Sequence, residues 1–443
     1  MGAEDNRGVK LGEQLSTARR VLTRLVRQRR NRLLMDKRMA EADLSLPSDV
    51  EVAVYYADAS VNLYQVRQWF APLATLAEHR RVAIITRSPG ATLALLDESP
   101  VPIAYCRTVL DLERFVATNP LKVVLYVNQN AKNFQMFRYG RMWHTFVNHG
   151  ESDKMYMTTN QYKAYDVALI AGQAARDRLS RVLWGYDLDE RTIAIGRPQA
   201  DHFAGELPYT PDDRTVVLYA PTWEGDRPAA AYGSIASHGE QLVAALLATG
   251  RHRVLYRPHP RSGVVDAAYG QAHRRIVAAI ERANAADPSA QHVYDNGPTL
   301  GWQIAAADVA ICDISAMIYD RLATGKPLLV TRPQSPDAQV DTGGYLSACE
   351  WLAADAAAEI VPEVDRVLTD AAAHAALQHW ATHYFGDTTP GAATARFHAA
   401  IDTLVERWHE AAREHAADPV VRGTEHDADD PLDDEALSDR VTV

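Results

Sequence analysis

Asp308-Val-Ala-Ile-Cys-Asp-Ile-Ser-Ala-Met-Ile-Tyr-Asp320, closed by Gly325-Lys-Pro327, decides how the rest of this chain is read. Val309–Cys312 is an apolar run of strand length, and Ile314, Met317 and Ile318 then fall at helical spacing before a glycine stop. The stretch predicts a buried strand that turns directly into a helix. Asp313 is placed to cap that helix, leaving Ser315 and Ala316 in a first turn whose unpaired backbone N–H groups and dipole favour an anion. An ordinary strand-to-helix turn of an α/β domain has the same pattern, so the reading depends on what the other strand ends carry.

Working outward, short apolar runs alternate with helical patterns on both sides of this stretch. Upstream, strands are expected at Val52–Ala57, Val82–Thr86, Ile103–Cys106, Val123–Val127, Thr145–Asn148 and Val167–Ala171, with helices near 65–79, 90–97, 109–117 and 173–183. A second series has strands at Val216–Tyr219, Val254–Tyr256, His292–Tyr294, Val309–Cys312 and Leu328–Val330, with helices near 238–249, 264–285, 299–306 and 315–323. A last helix is expected near 391–412. Such alternation implies largely parallel sheets covered on both faces. The two series meet around 196–213, where Gly196-Arg-Pro, Gly205, Pro208 and Pro211 give a linker composition.

The chain has 443 residues, enough for two domains with full cores, and its 47% apolar and 23% charged residues are those of an ordinary soluble protein. No apolar run approaches the roughly 18 residues of a membrane span, and no signal peptide is visible. A cytoplasmic location is expected. Cys106, Cys312 and Cys349 lack the spacing of a disulfide framework or zinc site and read as buried thiols.

The net charge of −11 is unevenly spread: residues 7–38 hold eleven Lys/Arg against Glu13 and Asp36, whereas 418–443 hold nine acids against Arg422 and Arg440. From Lys10, the positions Leu11, Leu15, Ala18, Leu22 and Leu25 share one helical face while arginines crowd the others. This basic amphipathic segment, residues 10–38, suits an anionic membrane surface. A solvated helix packed on its own acidic body would look the same. Nucleic acid is not expected, since the segment has no aromatic residue to stack on bases and the remainder of the chain is acidic.

In open α/β sheets ligands bind beyond the carboxyl ends of strands. Ala220-Pro-Thr-Trp-Glu-Gly225, Arg257-Pro-His-Pro260 and Asp313-Ile-Ser315 follow strands of the second series, and Thr145–Asn148 leads into His149-Gly150 with Lys154 shortly after. His259 lies between two prolines that stiffen its loop, and Arg257 carries a permanent charge suited to phosphate oxygens. A structural or capping histidine would share the Pro-His-Pro setting. His149, ahead of a glycine that permits close approach to the backbone, is a candidate general base. No carboxylate cage for a metal is evident.

Taken in order, His149-Gly150…Lys154, Gly196-Arg-Pro-Gln-Ala-Asp201, Tyr219-Ala-Pro-Thr-Trp223, Arg257-Pro-His-Pro260, Cys312-Asp-Ile-Ser-Ala316…Asp320, Gly325-Lys-Pro327 and Tyr384-Phe-Gly-Asp387 resemble the CDP-glycerol glycerophosphotransferase family of wall teichoic acid synthesis. The resemblance spans roughly 145–400. It implies an α/β fold of the GT-B type, two Rossmann-like domains facing across a central cleft, joined here to the N-terminal basic helix. The corresponding division is 1–45 for the membrane-associating segment, 46–205 for an acceptor domain, 206–412 for a nucleotide-binding domain and 413–443 for an acidic tail. Two departures stand out: Glu151-Ser-Asp153 replaces the family's usual Thr-Pro after His-Gly, and Cys312-Asp-Ile-Ser-Ala316 lacks one of two usual hydroxyls.

The resemblance implies transfer of an alditol phosphate from CDP-glycerol or another CDP-alditol to a hydroxyl of a lipid-linked or glycan acceptor, with CMP leaving. His149 and His259 are the expected catalytic residues. Thr222, Arg257, His259, Asp313, Ser315 and Ala316 are assigned to the CDP diphosphate, and Gly150, Glu151 and Lys154 to the acceptor side. No cofactor or metal is expected, the enzyme would sit peripherally on the inner face of the cell membrane, and a homo-oligomer is left open. A sugar-nucleotide glycosyltransferase of the same fold and a degenerate membrane-associated scaffold are the alternatives.

Overall fold

The computed structural model describes residues 26–27, 29–40, 46–152, 155–297, 299–341 and 343–416. Residues 10–25 and 28 of the basic segment, Lys154, and the acidic tail from 417 lie outside the described residues. The described chain separates into two compact units. One holds the residues up to His149 together with 165–167 and those from Ile401; the other holds 150–164 and 168–400.

Strands β1 (Val52–Tyr56), β2 (Val82–Thr86), β3 (Ile103–Tyr105), β4 (Val123–Tyr126), β5 (Trp143–Phe146), β6 (Val167–Ile170) and β7 (Thr192–Ala194) form a sheet in the order β3-β2-β1-β4-β5-β6-β7. Its recorded pairings are parallel, with Val52 opposite both Val82 and Val123. All residues of β1, β2 and β4 are buried, which is why these strands read as continuous apolar runs with no polar alternation.

The second sheet runs β10-β9-β8-β11-β12-β13. Its strands are β8 (Thr215–Ala220), β9 (His252–Tyr256), β10 (Val293–Tyr294), β11 (Val309–Cys312), β12 (Leu328–Thr331) and β13 (Glu350–Leu352). Successive side chains leave opposite faces. Leu218, Ala220, Ala310, Cys312, Leu328 and Val330 enter one core cluster, whereas Val217, Tyr219, Val309, Ile311 and Leu329 enter the other. Parallel register sets Cys312 level with Ala220 and Val330, and Tyr256 level with Tyr219. The residues that follow these strands therefore emerge along one edge. Strand order reverses between β8 and β11 here, and between β1 and β4 in the first sheet; these are the positions where such sheets leave a crevice at their carboxyl ends.

Most predicted elements are present, with three kinds of correction. Strand β5 begins at Trp143 and stops at Phe146, so Val147 and Asn148, expected in the strand, lie beyond it; Asn148 takes φ +55° and turns the chain into His149. The short strands β7 and β13 were not anticipated. Nor were the helices Ile360–Thr369 and Ala371–Phe385, the second of which is alanine-rich and offers few large residues to mark a period. Residues 29–40 are helical: Met35 is buried and Arg38 pairs with Asp97 at 2.8 Å, while Leu33, Leu34 and Met39 are exposed.

Candidate functional site

At the edge of the second sheet, Asp313 directly follows β11 and is wholly buried. Its Oδ2 accepts the N–H of Thr222 (2.8 Å) and of Ser234 (3.0 Å), and its Oδ1 accepts the hydroxyl of Thr331. Burial pushes its carboxyl up to about 6, although the bonds from Ser234, Thr331 and Thr222 pull the other way. The expectation that Asp313 caps the following helix is corrected: that helix is Ala316–Leu322, and Ser315 caps it, accepting the N–H of Met317 at 3.3 Å. A carboxylate this deep needs donors around it, and the level exits of β8 and β12 supply them. Ser315 is half-buried and Ala316 exposed at the start of the helix.

The loop after β8 carries Thr222, Trp223 and Glu224. Thr222 donates its N–H to Asp313, and its carbonyl accepts the Tyr269 hydroxyl at 2.6 Å. Trp223 lies 6.4 Å from the ring of His259 at an interplanar angle of 29°, and the Arg261 guanidinium sits 3.8 Å from the Trp223 ring centre. His259 is exposed; its N–H reaches the carbonyl of Pro221 at 3.1 Å, and its Nδ1 accepts the N–H of Arg261 at 3.1 Å. A backbone amide can only donate, so Nδ1 is the unprotonated nitrogen and Nε2 carries the proton. Arg257 pairs with the carboxylate of Asp295 and donates to the carbonyl of Gly297 at 3.2 Å. Asp295 also receives Gln303 and the N–H of Gly297.

A second cluster of the same unit joins motifs that are far apart in sequence. Arg197, from Gly196-Arg-Pro, pairs with Asp320 in a setting where both side chains are more than nine-tenths buried. Burial raises the Asp320 carboxyl and the Arg197 charge only partly offsets it. Glu151 pairs with Arg178 and accepts the N–H of Ser152 at 2.9 Å; Arg178 in turn lies 5.7 Å from the ring centre of Tyr384. Gly150 lies beside Arg197, whose Nη1 would be 3.8 Å from a Cβ added there. Asp201 accepts the N–H of Thr394 at 2.7 Å, and Arg396 donates to the carbonyls of Phe385 (3.0 Å) and Asp387 (2.8 Å). Of the three expected acceptor-side residues, Gly150 thus adjoins the buried Arg197 and Glu151 the partly buried Arg178, and Lys154 lies outside the described residues.

In the first unit, Nδ1 of His149 lies 3.0 Å from the carbonyl of Val127. A carbonyl can only accept, so this nitrogen holds the proton and Nε2 bears the lone pair. Tyr64 packs edge-on against the imidazole at 5.7 Å, and the N–H of His149 is taken by Oδ1 of Asn148 at 2.8 Å. The indole of Trp69 donates to the carbonyl of Asn148 at 2.5 Å. A polar set missing from the sequence-based candidates also stands in this unit. Asp58, just past β1, accepts from Asn62 (2.9 Å) and Asn128 (3.3 Å), and Asn128, just past β4, donates to Gln65 at 2.7 Å. Their signal in the sequence is the one His149 shares: polar residues placed just after a strand.

Among the described residues no group of three or more His, Cys, Asp or Glu is arranged to hold a metal ion. Cys106, Cys312 and Cys349 are buried free thiols. Among the described residues no helix is long and apolar enough to cross a membrane.

The profile of the CDP-glycerol:poly(glycerophosphate) glycerophosphotransferase family matches residues 147–371, slightly more than half of the chain. Among solved structures, the wall teichoic acid polymerase TagF is similar with a TM-score of 0.52 and 14% identity, over 87% of this chain and 99% of that one. A variant of TagF soaked with CDPG gives 0.50 and 12%, over 87% and 99%. A putative UDP-N-acetylglucosamine 2-epimerase from Listeria monocytogenes gives 0.53 and 13%, over 81% and 98%. At such identities the likeness establishes the fold, that of the GT-B-like α/β proteins. No curated protein matches the sequence.

Proposed function

The chain belongs to the CDP-glycerol:poly(glycerophosphate) glycerophosphotransferase family, and from that membership we propose that this transferase moves an alditol phosphate from a CDP-alditol, CDP-glycerol first among them, to a hydroxyl of a lipid-linked acceptor in the synthesis of a teichoic-acid-like polymer. The acceptor oxygen forms a bond to the alditol-bearing phosphorus, the bond from that phosphorus to the bridging oxygen breaks, and CMP leaves with the electron pair. Nε2 of His149 takes the proton from the acceptor hydroxyl. The Nε2–H of His259, the Ser315 hydroxyl and Thr222 meet negative charge on the donor diphosphate. Arg257, tied to Asp295 and Gly297, contributes its field to the same oxygens.

The observation that carries this reading is the contrast between the partners of the two Nδ1 atoms. Nδ1 of His149 faces the Val127 carbonyl, which calls for a proton on that nitrogen, whereas Nδ1 of His259 accepts the N–H of Arg261, which calls for the proton on Nε2. A base and an anion donor require these two states respectively. Calorimetry of the full chain against CDP-glycerol, CDP-ribitol and UDP-N-acetylglucosamine tests it. Binding of a CDP-alditol with turnover supports the proposal; binding of the UDP-sugar alone replaces it with the glycosyltransferase reading, and binding of none favours a scaffold.

The membrane component of the proposal is peripheral attachment to an anionic inner leaflet. Its support is the helix at 29–40, where Leu33 and Leu34 are exposed among the exposed Arg29, Arg30, Arg32 and Lys37.

A further inference from the structure

We propose that Glu224 is a positioning residue for His259: its carboxylate fixes the loop that follows the histidine and so holds the imidazole in the Nε2–H state. Apart from the Arg261–Trp223 contact and the close approach of Gly263 to Gly270, the loop between Arg261 and Asp266 has little else to order it. Its apolar side chains, Val264 and Val265, are 67% and 61% exposed and supply no packing. Its internal backbone bonds are Ser262 N–H to the His259 carbonyl (2.9 Å) and Val264 N–H to the Arg261 carbonyl (3.2 Å).

Glu224 supplies what the loop lacks. Oε2 accepts the N–H of Gly263 at 2.9 Å, and Oε1 accepts those of Val265 at 2.7 Å and Asp266 at 3.0 Å. Bonds from amides to an ionised carboxylate are among the stronger hydrogen bonds. Burial opposes ionisation of Glu224, yet the amide bonds outweigh it and hold the carboxyl below its ordinary range. With its oxygens committed in this way Glu224 stays ionised and is no proton shuttle. Gly263, at φ +78°, lets the loop turn beneath the carboxylate; a Cβ there would come within 2.5 Å of Gly270 Cα.

The neighbouring residue completes the clamp. Trp223 holds the Arg261 guanidinium at 3.8 Å while Glu224 holds the amides of Gly263, Val265 and Asp266, so two consecutive side chains fix both ends of one loop. Between them lies the Arg261 N–H that reaches Nδ1 of His259 at 3.1 Å and determines which nitrogen carries the proton. If the loop relaxes, that amide moves and the imidazole loses its tautomeric bias.

The inference that this N–H serves the donor diphosphate rests on the proposed function; the structural part does not. The test uses the full chain labelled with ¹⁵N-histidine, with the His259 resonances assigned from a His259→Gln variant. In the unaltered protein at a pH where the ring is neutral, His259 should show one protonated Nε2 and one unprotonated Nδ1. In Glu224→Gln and Glu224→Ala the two signals should move toward tautomeric averaging, with Glu224→Asp restoring part of the difference. With CDP-glycerol, Glu224→Ala should raise KM roughly tenfold, a loss of about one hydrogen bond's worth of affinity, with a smaller change in kcat. In a His259→Gln background Glu224→Ala should cost nothing further. An unchanged tautomer signature in Glu224→Ala overturns the proposal, as does a full additive loss in the double variant. Lack of any CDP-glycerol turnover in the unaltered protein would overturn the functional reading while leaving the ring signature to decide the role of Glu224.

Discussion

Arg197 and Asp320 form an ion pair in which the two side chains keep only 7% and 5% of their exposure. Separating two charges at that depth is costly, because neither can recover its hydration. Asp320→Ala should therefore lower stability by about 3–5 kcal/mol, measured by urea unfolding. Arg197→Met combined with Asp320→Leu should recover much of the loss, since the pair is removed together. A loss below about 1 kcal/mol for the single variant, the range of surface pairs, would contradict the buried description.

His149→Ala should lower kcat by about 10²–10⁴ and leave the calorimetric affinity for CDP-glycerol within about twofold, as for a group whose contribution is made to the transition state. Loss of affinity in parallel with turnover would remove it from the role of base.

Asp313 should give the protein an unusual pH response. Its folded carboxyl is pushed up to about 6 by burial, above the value of about 3.9 for a free aspartate. Between those values the folded state holds the proton more firmly than the unfolded state, so this group adds stability as pH falls through 6 toward 4 and loses it as pH rises. Asp313→Asn removes that contribution. The difference in unfolding free energy between wild type and variant should shift in favour of wild type as pH is lowered from 7.5 to 4.5; a difference independent of pH would show that the group ionises normally.

Gly196 has φ +76°, and a Cβ there would lie 3.0 Å from both the Phe385 carbonyl oxygen and the Ala393 Cβ. Gly196→Ala should therefore destabilise the protein by more than about 1 kcal/mol. A control at Gly140, where a Cβ would meet nothing within 4 Å, should change stability much less. Equal thermal midpoints for the two variants would sink the argument from close approach.

Replacing Leu33 and Leu34 by Ser should weaken sedimentation of the full chain with anionic vesicles while leaving its binding to CDP-glycerol unchanged. Retention of vesicle binding would move the attachment away from this face of the helix.

What could be read from sequence was local. The prolines around His259, the helical spacing after Ser315 and the glycine after His149 announce themselves within a few residues. The readings that needed correction or addition depend on partners brought in from elsewhere. Asp313 looks like a cap because a short acidic residue after a strand commonly is one; its donors come from Thr222, Ser234 and Thr331, which only the parallel register makes level. Arg257 reads as a free phosphate ligand until Asp295 appears just past β10, because the expected strand there does not reveal that parallel pairing with β9 brings its following residue to Arg257. Glu224 binds backbone amides, a partner set that leaves no mark in residue types.

The three-way grip of Asp313 limits how this enzyme family member can diversify. Because one buried carboxylate ties together the chain leaving β8, the start of the segment at Ser234 and the last residue of β12, none of these exits can drift without disturbing the others. Changes of substrate preference are then expected on stretches outside that grip, such as 226–232 between two of its anchor points, which contribute no bond to the Asp313 carboxylate.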